Sequence, residues 1–150
     1  KDHHLGLHQA RLFAVQHQAD LAGQCFELPQ RAQRLGLVVK QVLQETRWPE
    51  TCFISCGGGL PCFFDNMDFM LATGKVIYLA PTLDMLADRL WNQSTTRPLV
   101  AACNSREALI EKLSSLLDQR SSFYNKANVT ITGNPGEEVL QAAIEYVQKG

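Results

Sequence analysis

A charge surplus, paired cysteines and long apolar runs are all missing from this chain of 150 residues. With 14 Lys and Arg against 15 Asp and Glu, the formal net charge is −1. No basic excess exists to displace counterions from a nucleic acid, which argues against a nucleic-acid binder held by phosphate contacts. No apolar stretch approaches the ~20 residues that a membrane helix needs. The first residues, Lys1-Asp-His-His-Leu-Gly-Leu-His8, lack the apolar core of a secretory signal. They also lack an initial Met, so the natural start is expected further upstream. The five cysteines (Cys25, Cys52, Cys56, Cys62, Cys103) are odd in number, irregularly spaced and contain no C-x-x-C pair. Zinc-ribbon and thioredoxin-type sites therefore have little support. Reduced thiols point to the cytoplasm. His3, His4 and His8 read as a polar terminus, His17 stands alone, and neither a metal site nor a catalytic residue is assigned.

What is present centres on Cys56-Gly57-Gly58-Gly59, which closes the apolar run Cys52-Phe-Ile-Ser55. Three glycines directly after a strand-like segment imply either backbone angles that a Cβ forbids or a close approach to another group. At the carboxyl end of a strand in an open α/β sheet, that group is usually a ligand. A plain tight turn would use the same residues. Cys52 and Cys56, in or beside the strand, fit as small packing residues.

The rest of the chain alternates. Leu35, Val38, Val39, Val42 and Leu43 fall at helical spacing, and Trp48-Pro49 ends that helix. Asp65 or Asn66 caps a helix running to about Thr73, closed by Gly74. Lys75–Ala80 is an almost wholly apolar strand, as in a parallel sheet covered on both faces. Thr82 caps the next helix, and Asn92–Pro98 reads as a mobile loop. Asn104 with Glu107 has capping-box spacing for a helix carrying Leu109, Leu113, Leu116 and Leu117. Val129–Thr132 is a third clear strand. Asn134-Pro-Gly-Glu137 supplies a cap, an N1 proline and an acidic N3 for a last helix over Val139–Val147. This order predicts an α/β fold with a parallel β-sheet flanked by helices. Three strands make it thin. Residues 1–30 are poorly patterned, and Arg11–Val15 fits a strand while Leu12, Val15 and Ala19 fit a helix edge; periodicity does not decide.

From about Glu45 to Val147 the chain resembles shikimate kinase, a member of the P-loop, nucleoside-monophosphate-kinase-like group. The matching pieces are Ile54-Ser-Cys-Gly-Gly-Gly59, Gly74-Lys-Val-Ile-Tyr-Leu79, Leu86-Ala-Asp-Arg-Leu90, Arg97-Pro-Leu-Val100 and Arg120-Ser-Ser-Phe-Tyr124 with Ala127. Cys62–Met70 resembles the variant of Bacteroidetes-type members. The resemblance implies a three-layer sandwich and phosphorylation of the shikimate 3-hydroxyl by ATP with Mg²⁺, on the route to chorismate and the aromatic amino acids. It also implies a monomer acting on a small molecule. Gly57, Gly58 and Gly59 would line the shikimate site, and Arg120 would clamp the carboxylate through a bidentate pair. Arg97 would reach the ATP phosphates from a closing lid, and Pro135 would lie near the adenine. Taken alone, Arg120 near a helix end and Arg97 before a proline would each read as solvated cations.

Parts of the family pattern are absent. No G-x-x-x-x-G-K-[ST] phosphate loop occurs, and Gly74-Lys75 is no remnant, because Val76 stands where Ser or Thr would hold Mg²⁺. The main ATP and Mg²⁺ ligands are therefore missing. So are the D-x-D stretch expected in residues 1–45 and a second substrate arginine with its glutamate, whose places fall near Gly36 and Val39. The chain reads as a single domain, 1–150, atypical over 1–41 and family-like over 42–150, with its amino-terminal strand and phosphate loop missing or unrecognisable. Three origins for residues 1–41 stay open: a misjoined gene start, degeneration to a catalytically inactive binding or scaffold domain, or a substitute phosphate site.

Overall fold

The computed structural model of the chain describes residues 11–16, 29–49, 52–92, 103–134 and 136–149. Four strands, β1 (Arg11–Gln16), β2 (Cys52–Gly57), β3 (Lys75–Ala80) and β4 (Val129–Thr132), form one sheet in the order β2-β1-β3-β4. Every pairing is parallel, with Phe13 opposite Ile54 on one side and Val76 on the other. The undecided segment near residue 11 is thus a strand, and it lies inside the sheet. Burial on both sides explains why its pattern was indecisive: the neighbours Phe13 and Ala14, which a strand turns to opposite faces, are both buried.

Five helices accompany the strands among the described residues: α1 (Pro29–Glu45), α2 (Asn66–Thr73), α3 (Leu83–Trp91), α4 (Arg106–Tyr124) and α5 (Glu137–Lys149). On one face Phe13, Cys56, Val76 and Tyr78 pack with Leu43 of α1, Met67 and Met70 of α2, and Tyr124 of α4. On the other, Ile77 and Ile131 meet Ala143 of α5. A third cluster joins α3 to α4 through Leu86, Leu90, Leu109 and Leu113. Each fully buried large apolar side chain stabilises the fold by about 1.5–3 kcal/mol.

Several local expectations shift. Thr82 caps α3 as read, accepting from the Met85 amide at 3.3 Å. Asp65 is the N-cap of α2, without a side-chain hydrogen bond. The cap of α4 is Ser105, whose hydroxyl accepts from the Ala108 amide at 3.1 Å, and not Asn104. Asn134 does not cap α5. Its side-chain oxygen accepts from Arg89 at 2.7 Å, and the helix starts at Glu137 with Gly136 carbonyl-bonded to Val139 and Leu140. The apolar set assigned to α1 is rotated by about one position: Leu43 and Gly36 face inward, while Val38 and Val42 are exposed. Gly36 explains that rotation, because an added Cβ would stand 3.0 Å from the Phe63 ring and 3.2 Å from Phe64. Here α1 lies directly on the loop that follows the glycines.

Gly74 is the tightest join between β1 and the rest. A Cβ there would sit 2.3 Å from the Arg11 carbonyl oxygen and 2.8 Å from the Phe13 ring. Backbone cannot yield as a flexible side chain can, so overpacking by Gly74→Ala is expected to cost about 1–3 kcal/mol. Gly136→Ala meets open space and is expected to stay within about 0.5 kcal/mol. Urea unfolding midpoints of the two variants check the contrast.

Candidate functional site

Strand order reverses beside β1, since the chain passes from β1 to β2 on one side and then crosses from β2 to β3 on the other. In open parallel sheets, ligands sit outside the carboxyl ends of the strands at such a reversal. The glycines are there: Gly57 ends β2, and Gly58 and Gly59 follow, both buried. Gly59 is the N-cap of a short 3-10 turn, Leu60–Cys62, with Pro61 in its first positions. The reading of forbidden angles fails here, because positive φ among the described residues occurs only at Phe64 and Gly133. Close approach and a plain tight turn are the reasons that remain for the glycines. The Gly58 carbonyl accepts from the Tyr124 hydroxyl at 2.8 Å and from the Cys62 thiol at 3.6 Å.

Arg120 comes to the same place from α4. It is 1% exposed, the largest fully buried side chain among the described residues, so the solvated-cation reading does not hold. Its Nε and Nη2 have no hydrogen-bond partner among the described residues. Tyr124, one turn later on the same helix face, donates its hydroxyl proton to the Gly58 carbonyl, and the guanidinium acts on that hydroxyl. The guanidinium also acts on the Cys62 thiol. Arg120 and the triglycine bend therefore converge, linked through Tyr124 and Cys62. A buried cation with free donors costs free energy unless an anion or acceptor completes it. Two parallel donors on a planar group suit a carboxylate.

Around this centre, Asn66 is fully buried at the start of α2. Its amide donates to the Leu60 carbonyl at 3.0 Å, and its Oδ1 has no partner among the described residues. Lys40 of α1 bonds Asp65 at 2.5 Å and lies 5.6 Å from the centre of the Phe64 ring, tying α1 to the same loop. That Lys40 contact, first among several hydrogen bonds, holds the Asp65 carboxyl below its usual range. Gly36 is on this side of α1, against Phe63, and offers no charge. Sequence reasoning gave no role to Tyr124, Cys62 or Asn66. For Tyr124 a signal existed, because four residues after Arg120 is the same helix face.

Arg97 and Pro135 lie outside the described residues. No group of three His, Cys, Asp or Glu side chains able to hold a metal occurs among the described residues.

A model of the family "Shikimate kinase" matches residues 36–149. The chain belongs to the shikimate kinase family. The shikimate kinase of Parabacteroides distasonis is 41% identical over 93 residues, covering 62% of this chain and 53% of that protein. That of Bacteroides thetaiotaomicron is 31% identical over 112 residues, covering 73% and 63%. The chain thus spans between about half and two thirds of the length of these curated relatives. The fold agrees with two solved structures. One is the Bacteroides thetaiotaomicron shikimate kinase at 1.7 Å, with TM-score 0.67 and 21% identity, covering 93% of this chain and 97% of that one. The other is the Acinetobacter baumannii enzyme in complex with shikimate, with TM-score 0.65 and 17% identity, covering 93% and 96%.

Shikimate kinase implies ATP and Mg²⁺, and the residues present do not fit that group. The carboxyl end of β1 is the central position from which a phosphate loop would have to run. It leads instead into His17-Gln-Ala-Asp-Leu-Ala-Gly-Gln-Cys25, with no Gly-Lys pair and no Ser or Thr to follow one. No phosphoryl-transfer step is derived from these residues.

Burial pushes the Cys56 and Cys62 thiols up to about 11, in Cys62 against the opposing pull of Arg120 and Tyr124. The native state then keeps protons that the unfolded chain releases above the ordinary thiol value of about 8.5. This contribution is complete below that value and is lost as pH rises through about 11. Urea unfolding is expected to lose about 2–5 kcal/mol between pH 8 and pH 11, and less in Cys56→Ala.

Proposed function

We propose that this chain is a shikimate kinase-type protein whose Arg120 and triglycine bend, Gly57 to Gly59, bind shikimate. The buried Arg120 guanidinium, with two nitrogens unpartnered among the described residues, carries this reading. It calls for a carboxylate, and the neighbouring glycine turn lets the backbone approach a small hydroxylated ring closely. Family membership supports ATP-dependent phosphorylation of the shikimate 3-hydroxyl as the reaction, a step toward chorismate, with Arg97 and Pro135 on the nucleotide side. The free thiols of Cys52, Cys56 and Cys62 suit the cytoplasm. A single domain, 1–150, acting as a monomer accompanies this reading, and no described helix is long and apolar enough to cross a membrane.

A second reading is favoured by one observation, the absence of a phosphate loop behind β1. In it, the chain binds shikimate without transferring phosphate. Loss of a loop lysine and metal anchor is expected to cost on the order of 4 kcal/mol or more of transition-state stabilisation. A coupled ADP-release assay with excess Mg²⁺ separates the two readings. Turnover near about 10 s⁻¹ supports the kinase, and binding without release supports the second reading.

Shikimate at about 100 times its Kd is expected to stabilise the chain by about 2.7 kcal/mol, roughly 5 °C or more in Tm. Arg120→Ala removes that shift. No shift in the unmutated chain at millimolar shikimate overturns both readings.

A further inference from the structure

The hydroxyl of Tyr124 joins the two halves of the candidate site, and shikimate binding as stated above gives it no task. Tyr124 is 1% exposed, and its ring stacks on Tyr78 with centroids 4.6 Å apart. The phenol donates its only proton to the Gly58 carbonyl at 2.8 Å. Its oxygen can then only accept, and a guanidinium can only donate. Where guanidinium and phenol meet, the direction is therefore fixed: Arg120 can only donate, and Tyr124 donates to Gly58. Two consequences follow from that polarity. The Gly58 carbonyl is occupied, accepting from the Tyr124 hydroxyl and the Cys62 thiol. The Arg120 Nε and Nη2 donors are left without partners among the described residues.

We propose that Tyr124 is a positioning residue for the acid clamp, holding the Arg120 guanidinium so that its unpartnered edge is kept for a ligand carboxylate, in register with the triglycine bend. The Cys62 thiol, 3.6 Å from the same carbonyl and acted on by both Arg120 and Tyr124, is a weaker second tie on the bend. The inference rests on the shikimate reading, because the clamp needs an acid to hold.

Tyr124→Phe keeps the ring against Tyr78 and removes only the hydroxyl. Calorimetric titration with shikimate and with its methyl ester reads the clamp, because only the acid offers a carboxylate. The unmutated chain is expected to prefer the acid on the order of 100-fold, as a charge-assisted bidentate pair allows. Arg120→Ala abolishes the preference. Tyr124→Phe cuts it about tenfold, while the ester binds as before. Equal weakening of acid and ester, or no change in either, overturns the proposal, since a merely structural tyrosine would move both together. NMR of the ligand-free unmutated chain gives an arm that does not depend on the variant folding. Separate, slowly exchanging signals for the Arg120 guanidinium protons support the relay, and one averaged signal overturns it. Should the unmutated chain bind neither acid nor ester, the shikimate reading fails, and the guanidinium signals still decide the relay.

Discussion

One hydrogen bond, from the Tyr124 hydroxyl to the Gly58 carbonyl, ties together parts of the chain 66 residues apart. Apolar packing between the turn after β2 and the end of α4 would by itself tolerate small slips. A short polar bond between buried groups is not tolerant, because a lost partner leaves a desolvated acceptor behind. The tyrosine ring is held in turn by Tyr78 of the central strand β3. The position of Arg120 relative to the glycines is thereby set from the middle of the sheet outward. That is the arrangement expected where binding groups must be held by the scaffold.

The alternation of helix and strand after residue 45 was readable because each boundary carried its own punctuation. Gly74 closes α2, Thr82 opens α3, and the apolar run Lys75–Ala80 has the pattern of a doubly covered strand. Errors arose where two polar residues competed for one cap, as with Asn104 and Ser105, or where an asparagine found a distant partner, as Asn134 did in Arg89. No local rule foresees a contact 45 residues away. The rotation of α1 was hidden for a related reason. Its valines have the right spacing for a core face, but a bare Gly36 against Phe63 turned the helix by another angle. For the site, Arg120 and the glycines could be named from resemblance, while the burial of Arg120 could not, since an arginine near a helix end is ordinarily wet.

Kinship and chemistry separate along the chain. The family match over residues 36–149 contains Arg120 and the glycines proposed to bind the acid. The segment after β1, where the nucleotide half would begin, has neither the glycines nor the lysine for phosphate. A protein can retain the geometry that recognises an acceptor while losing what activates the donor, because the two sets of groups come from different strands and turns.

The place of β1 has a bearing on where this protein can be cut. Its residues precede the family match, yet the strand sits between β2 and β3 and supplies Phe13 to the shared core. Removing it would not trim an appendage; it would leave two parallel strands a full strand's width apart with no backbone partner between them. The limit of detectable ancestry is therefore not a limit of autonomous folding, and the stretch least like its kin is the keystone of the sheet.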